Sequence, residues 1–219
     1  MNCAAIIVAA GTSQRMGFDK LLAPLSGKPV LQHSIETFVN SEAFSQVIVV
    51  CPKDRFEQLD LEFLHKPVHQ VEGGTDRHDS VAAGLAKLDD SVEFIAVHDG
   101  ARPLVSTEQI RRVLKSAVEH GAATSARPVT ETLKRADKNG HASESVCRDN
   151  LWLMETPQIF QTQLLLEAYQ TVQLQGQRVT DEVSAVELIG HHTYLVSNSQ
   201  PNPKITYPQD IEYAERLLS

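Results

Sequence analysis

The chain has 219 residues, enough for one domain with a complete core, and a composition typical of globular proteins. Its formal net charge of −8 argues against a nucleic-acid partner, because such proteins carry excess lysine and arginine. The longest apolar runs have the length of strands, so we expect no membrane contact. Three widely spaced cysteines and an N-terminus without a basic leader predict a cytoplasmic protein.

Short apolar runs alternate with amphipathic stretches along most of the chain. The first three runs are almost continuously apolar, which is typical of strands buried on both faces of a parallel sheet. The amphipathic stretches place apolar residues three and four positions apart, as helices do. The pattern predicts a doubly wound, mostly parallel, Rossmann-like α/β sheet. The predicted strands are 4–10, 46–51, 93–99, 122–129 and 192–198, and the predicted helices are 29–41, 78–88, 106–120, 161–173, 181–190 and a last helix from Pro208.

Residues 131–152 interrupt this alternation because they are polar and carry an Asn139-Gly140 pair between two extended stretches. Such a pair is a strong signal for a β-hairpin. The segment has too few apolar side chains to pack into the core, so we expect an arm that projects from a single domain, 1–219. Exposed hairpin edges are usually covered by another chain. The arm therefore predicts a homodimer.

The first predicted strand leads into VAAGTSQRMGFDK, residues 8–20. Gly11 would let backbone N–H groups approach a phosphate, and Arg15 and Lys20 would supply the charges that a triphosphate requires. A tight turn with two solvated cations would give the same pattern. The loop matches neither G-x-G-x-x-G nor a Walker A motif, which argues against dinucleotide and P-loop proteins.

Two further polar segments follow the ends of predicted strands. The paired glycines of EGGTDRHDS, residues 72–80, would let a planar base lie near the main chain, and Ser80 could hydrogen-bond that base. An N-cap and a turn would explain the same segment. Asp99 and Arg102 follow the next strand, at the edge where α/β sheets bind ligands. A structural ion pair is the alternative for these two residues.

The later segments carry isolated polar residues. Lys204 is predicted in a short strand before the last helix, and Asp181 and Glu182 are predicted to cap a helix. The nine histidines lack the spacing of metal ligands, so no metal ligand can be identified. We expect His98 to be a packed, hydrogen-bonded residue and not a base.

Taken in order, these segments resemble one family over nearly the whole chain, the 2-C-methyl-D-erythritol 4-phosphate cytidylyltransferases of isoprenoid biosynthesis. The matching pieces are AAGTSQRMG…K, GKPVLQHSIETF, GGTDRHDSVAAGL, VHDGARPLV, ETLKR, TPQIF, TDEVSAVE and NPKIT. The resemblance implies a nucleotidyltransferase-type fold. It also implies an enzyme that joins CTP to 2-C-methyl-D-erythritol 4-phosphate, with Mg²⁺ as cofactor and pyrophosphate as the second product.

The resemblance also implies three groups of site residues. They are Arg15, Lys20 and Lys204 as catalytic residues at the triphosphate, Ala10, Gly11, Thr12, Gly74, Thr75 and Ser80 for the nucleotide, and Asp99, Arg102, Thr132, Arg148 and Thr180 for the acceptor. Thr132 and Arg148 lie in the arm, which in this family crosses to the active site of the partner subunit. Ser13, Asp19 and Thr75 depart from the family pattern, where glycine, proline and aspartate are common.

The implied reaction is attack by the acceptor phosphate on the α-phosphorus of CTP. Because this nucleophile is already an anion, the enzyme needs no general base and has to align and neutralise two polyanions. Mg²⁺ would bridge phosphates mainly through water and substrate ligands. Two alternatives stay open at this point, a ribitol 5-phosphate cytidylyltransferase and a non-catalytic nucleotide-binding module on the same fold. A non-catalytic module would have no reason to retain so many cations.

Overall fold

A seven-stranded sheet forms the centre of the structure, a computed structural model that describes residues 1–12 and 16–218. The strands of this sheet are β1 (Cys3–Val8), β4 (Phe44–Val50), β5 (Val68–Val71), β6 (Phe94–Asp99), β7 (Ala122–Pro128), β10 (Trp152–Gln161) and β11 (Tyr194–Ser197). Two further pairs are β2 (Pro24–Leu25) with β3 (Lys28–Pro29), and β8 (Leu133–Ala136) with β9 (Ala142–Val146). The helices are α1 (Val30–Asn40), α2 (Lys53–Phe56), α3 (Arg77–Leu85), α4 (Thr107–His120), α5 (Thr162–Gln175), α6 (Glu182–Glu187) and α7 (Pro208–Leu218).

The strand order is β11-β7-β10-β6-β1-β4-β5, and every neighbouring pair is parallel except the two that involve β10. The predicted mostly parallel sheet is thus confirmed. Strand β10 was not predicted, because Pro157 in a run of mixed polarity argues against a strand. The register of β10 against β7 shifts between Met154 and Gln158, and this irregularity accommodates the proline.

Strand β1 shows why the sheet is covered on both faces. Its side chains alternate, so that Cys3, Ala5 and Ile7 belong to one buried cluster and Ala4 and Ile6 to a second. Helices α1 and α4 pack on the first cluster, and α3, α5 and α6 pack on the second. Burial of each large aliphatic or aromatic side chain contributes about 1.5–3 kcal/mol. The doubly wound arrangement is therefore confirmed.

The arm is the hairpin β8–β9, whose two strands pair with each other in a separate two-stranded sheet. The Asn139-Gly140 pair lies in its turn, where Gly140 has a φ of 84° and the Asp137 carboxylate accepts hydrogen bonds from the Asn139 and His141 amides. Nearly all side chains of the arm are exposed. The predicted hairpin is confirmed, and the dimer that it suggested stays a prediction.

None of the helices that the structure describes is both long and apolar enough to cross a membrane.

Candidate active site

A cavity of about 550 Å³ lies at the edge of the sheet where the parallel strands β1, β5 and β6 end. Such carboxyl edges are where open α/β sheets bind ligands. The cavity brings together segments that are far apart in the chain. The predicted site residues that line it are Gly11, Thr12, Lys20, Gly74, Thr75, Ser80, Asp99 and Lys204.

The loop after β1 forms one wall of the cavity. Among the described residues, nothing lies within 4 Å of the position that a Cβ atom would take at Gly11, so packing does not require glycine there. The Nζ of Lys20 donates a 2.7 Å hydrogen bond to the carbonyl of Ile205, which brings it beside Lys204. The side chain of Ala10 lies against Gly73, and Arg15 lies outside the described residues. The open space at Gly11 is what a ligand approaching the backbone requires.

The paired glycines form the opposite wall and have a packing reason that the sequence did not reveal. A Cβ atom at Gly73 would overlap the side chain of Ala10, and one at Gly74 would overlap Asp79. The hydroxyl of Ser80 accepts a 3.1 Å hydrogen bond from the Gly74 amide and donates to the Asp76 carbonyl. Ser80 therefore shapes this turn and keeps one lone pair with which it can accept from a base.

Asp99 lies between three cations. Its carboxylate accepts a 2.8 Å hydrogen bond from Lys204, and it lies 3.3 Å from Nε of Arg77 and 3.6 Å from Nε of Arg102. Burial alone would raise the pKa of Asp99, but the charges of Arg77, Lys204 and Arg102 hold it well below its ordinary value. Asp99 is therefore ionised and fixes the positions of cations. The ion pair considered for Asp99 and Arg102 is present within this larger cluster.

Arg77 is a cavity residue that was not predicted. Its guanidinium donates two hydrogen bonds, of 2.7 and 3.0 Å, to the carboxylate of the fully buried Glu182. The Tyr169 hydroxyl donates a 2.9 Å hydrogen bond to the same carboxylate. Burial opposes the charge of Arg77, but Glu182 and Asp99 raise its pKa overall. The place of Arg77 on the first turn of a helix, within residues 72–80, was the only sequence signal for this role.

The start of α6 corrects part of the prediction for this segment. Asp181 is the N-cap, since its carboxylate accepts a 3.0 Å hydrogen bond from the Ser184 amide. The prediction that Glu182 also caps the helix is wrong, because its side chain points into the interior and pairs with Arg77.

His98 is fully buried beneath Asp99, as predicted. Its Nδ1 lies 2.9 Å from the hydroxyl of Thr156 and its Nε2 lies 3.2 Å from the carbonyl of Arg102. Burial lowers the pKa of His98 to about 4. A neutral, fully engaged imidazole of this kind is a packed residue and not a general base.

The segment that carries Lys204 is irregular, so the predicted short strand is wrong. A single backbone hydrogen bond of 2.8 Å, from the Ile205 amide to the Ala101 carbonyl, ties the segment to the end of β6. The Thr206 hydroxyl adds a 3.1 Å bond to the Lys204 carbonyl. Among the described residues, this one backbone bond and side-chain contacts, including the bond from Lys204 to Asp99, position the segment without forming a strand.

The remaining predicted acceptor residues do not meet at the cavity within one chain. Arg102 donates a 2.8 Å hydrogen bond to the Asn202 carbonyl and lines a neighbouring cavity of about 590 Å³, which also borders Lys204. Thr132 and Arg148 are exposed residues of the arm and its base, and Thr180 is exposed just before α6. These three residues do not line the 550 Å³ cavity.

Known proteins resemble this chain over its whole length. A family model described as 2-C-methyl-D-erythritol 4-phosphate cytidylyltransferase (IspD) matches residues 3–219. The chloroplastic enzyme of that name from Oryza sativa is 39% identical, over 98% of this chain and 73% of its own. The enzyme of that name from Endomicrobium trichonymphae is 40% identical, over 100% of this chain and 99% of its own. The crystal structure of the Francisella tularensis enzyme has a TM-score of 0.86 at 30% identity, covering 99% of this chain and 100% of its own.

The matches agree with one another in fold, coverage and name. They favour a 2-C-methyl-D-erythritol 4-phosphate cytidylyltransferase over a ribitol 5-phosphate cytidylyltransferase and over a non-catalytic nucleotide-binding module. The chain belongs to the 2-C-methyl-D-erythritol 4-phosphate cytidylyltransferase family, and it is a nucleotidyltransferase of isoprenoid biosynthesis.

Proposed function

We propose that the cavity of about 550 Å³ binds CTP together with Mg²⁺, and that its triphosphate lies between the loop after β1 and Lys204. The observation that carries this proposal is the position of Lys20, whose Nζ bonds to the carbonyl of Ile205, the residue after Lys204. Two lysines from opposite ends of the chain thereby meet at one wall. A polyphosphate is the ligand that such a concentration of positive charge favours.

In this proposal the enzyme acts by aligning CTP with the acceptor phosphate and by neutralising the charge of both. Lys20 and Lys204, with Arg15 from the same loop, neutralise charge that develops on the phosphoryl oxygens. The acceptor phosphate is an anion and attacks the α-phosphorus without a general base. Neither His98, which is neutral and buried, nor Asp99, which is paired with three cations, is available to remove a proton.

The base and the acceptor are assigned to different walls. Gly74, Thr75 and Ser80 contact the cytidine, with Ala10, Gly11 and Thr12 at the phosphates and ribose. Asp99, Arg102 and Thr180 hold the methylerythritol phosphate. Ser80 supports the first assignment because its hydroxyl keeps one acceptor lone pair, which suits the amino group of cytosine.

We further propose that the arm, residues 131–152, crosses to a second copy of the chain in a C₂ homodimer. Thr132 and Arg148 are exposed in the single chain and lie away from the lining of its own cavity. A partner's cavity would give both residues a ligand, and the twofold axis would create two mixed sites. The domain is then 1–219, with the arm as its dimerisation element.

The carboxylates of the cavity permit a Mg²⁺ ion that is held mainly by CTP. Asp76 and Asp99 line the cavity, and Asp99 is already neutralised by cations. Mg²⁺ commonly keeps several waters and binds one or two carboxylates plus substrate phosphates. Asp76, the N-cap of α3, lies 3.3 Å from Arg178 and is the carboxylate of the cavity lining that would contribute a ligand, while the ion would neutralise phosphate charge.

The location of the protein is a separate proposal. Two of its three cysteines, Cys3 and Cys51, are buried and reduced, and Cys147 is exposed and unpaired. Free thiols suit a reducing compartment. We therefore propose the cytoplasm, while the rice relative carries a chloroplastic name of its own.

Product formation tests the proposed function directly. Purified protein with CTP, Mg²⁺ and 2-C-methyl-D-erythritol 4-phosphate should release pyrophosphate and form a CDP-linked product. The same mixture with ribitol 5-phosphate should release far less, and a mixture with EDTA should release none above background. Faster turnover of ribitol 5-phosphate would contradict the assigned acceptor.

A further inference from the structure

Arg55, in the short helix α2, is a buried side chain to which the proposed reaction gives no role. It is 7% exposed and lies behind the loop after β1, outside the lining of the cavity. Its guanidinium donates to the carbonyls of Ala9 and Gly11, the second at 3.2 Å, and its Nε donates a 2.7 Å hydrogen bond to Asp19. A single side chain therefore contacts both ends of the loop.

The bonds at Ala9 and Gly11 determine where the next amides point. In a planar trans peptide the carbonyl and the following N–H point in opposite directions. Since both carbonyls point at Arg55, the amides of Ala10 and Thr12 are turned away from it. Gly11 and Thr12 line the cavity, so this orientation presents backbone donors on the side where an anion would bind.

The bond at Asp19 acts on the other end of the loop. One carboxylate oxygen of Asp19 pairs with Arg55, and the second accepts a 3.0 Å hydrogen bond from the Leu21 amide. Lys20 lies between these two anchored positions. The direction in which its side chain leaves the backbone is thereby linked to the same guanidinium.

We propose that Arg55 is a positioning residue that orients the loop amides and Lys20 for the triphosphate, an inference that rests on the proposed function of the cavity. Asp19 completes this clamp at the position next to Lys20. Arginine suits the role because its planar fork can serve three acceptors at once, whereas a lysine ammonium is a point charge on a flexible stem. Arg55 contacts the loop and not the ligand.

Two variants and one control test the proposal. Arg55→Lys keeps the charge but cannot reproduce the three bonds, and Asp19→Asn weakens the partly exposed end of the clamp while Arg55 stays. Both should lower kcat/KM for CTP, by about tenfold or more for Arg55→Lys, with the KM for the acceptor within about twofold of wild type. Calorimetric titration with CTP should show weaker binding. Arg111→Lys, which alters an exposed pair with Glu108, should leave both values unchanged.

A purely structural role would lower the melting temperature without a selective loss of CTP affinity. Wild-type CTP kinetics in folded Arg55→Lys, or in Asp19→Asn if Arg55→Lys does not fold, would overturn the proposal. The wild-type enzyme in the same assay distinguishes failure of the proposed function from failure of the clamp proposal. Absence of any turnover of CTP by the wild type contradicts the proposed function, whereas equal turnover by wild type and variants contradicts the clamp alone.

Discussion

Asp99 shows at the scale of single residues how the cavity obtains its charge. Three cations, Arg77, Arg102 and Lys204, surround this one carboxylate, and Glu182 neutralises part of the charge of Arg77. A surplus of positive charge is left beside Lys20. The arrangement holds cations in place before a ligand arrives, which is the preorganisation that phosphoryl transfer needs.

Lys20→Ala should leave the fold intact and lower kcat/KM by roughly a hundredfold or more, the scale for losing one preorganised charge contact. The side chain is on the cavity wall and not in the core, so circular dichroism and thermal melting should be close to wild type. Lys115→Ala, on the exposed face of α4, is the matched control. Turnover close to wild type in the Lys20 variant would remove this residue from the mechanism.

His98 should make the stability of the protein dependent on pH between about 4 and 6.5. Burial lowers its pKa from 6.5 to about 4, so in this range the unfolded chain binds a proton that the folded chain does not. The free energy of unfolding should fall as the pH drops through this range, by about 3 kcal/mol at most. The pKa of Asp99 is also lowered, so Asp99 contributes a further loss of stability only at pH values below 3.8, its ordinary pKa.

Urea unfolding of wild type and His98→Asn at several pH values measures this contribution. The difference in unfolding free energy between the two proteins should shrink as the pH falls from 7 to about 4. A difference that stays constant over this range would show that His98 titrates normally in the folded protein.

Local patterns pointed to Lys20 and Asp99, because Lys20 ends the loop after the first strand and Asp99 follows a buried strand. Lys204 was assigned a role only through the family resemblance. Arg77 and Arg55 were missed for a physical reason. Their roles depend on long-range pairing, with Glu182 in one case and with two backbone carbonyls in the other, and no local spacing encodes such contacts.

Residues 73–80 form the element that we assign to the choice of base. The turn holds Ser80 with its proton donated to the Asp76 carbonyl, so the hydroxyl faces a base as an acceptor. Cytosine presents an amino donor where uracil presents a carbonyl acceptor. CTP should therefore be used roughly a hundredfold or more better than UTP, as expected when a buried polar group would be left unpaired. Comparable kcat/KM values for the two nucleotides would contradict this assignment.

The arm provides a test of sites that are built from two chains. If Arg148 acts in the partner's cavity, a heterodimer of Arg148→Ala and Lys20→Ala has one site with both lesions and one with neither. Random exchange places about half of the dimers in this form, so the mixture should regain up to roughly a quarter of the wild-type sites.

Subunit exchange has to be shown in the same mixture, for example by mass spectrometry of differently tagged chains. Lys138→Ala, at the tip of the arm, combined with Lys20→Ala gives the control for tagging and mixing. If the chains exchange and the first mixture stays as inactive as its parents, the arm does not act in trans.

The elements were predictable to different degrees. The buried parallel strands and the amphipathic helices follow from periodicity, and the hairpin follows from its Asn139-Gly140 turn. Strand β10 was missed because Pro157 interrupts it, and the segment around Lys204 was read as a strand although a single backbone bond and side-chain contacts hold it. Tertiary packing overrides local propensity in both cases.

At the scale of the whole molecule, the proposed site lies at one edge of the sheet. The parallel strands β1, β4, β5 and β6 all end there, and the loops after β1, β5 and β6 carry most of the cavity residues. This convergence was predictable, because it follows from the topology of doubly wound sheets. The way in which a second chain would complete the acceptor side was not, because assembly depends on surfaces that periodicity does not describe.

A crystal structure of the enzyme with CTP and Mg²⁺ tests the proposed site most directly. We predict that the triphosphate lies against the loop after β1, within hydrogen-bond distance of the Lys20 side chain and near Lys204. The cytosine should lie at the turn formed by Gly74 and Ser80. A triphosphate bound in the neighbouring cavity beside Arg102, or a base that lies away from residues 73–80, would contradict the site.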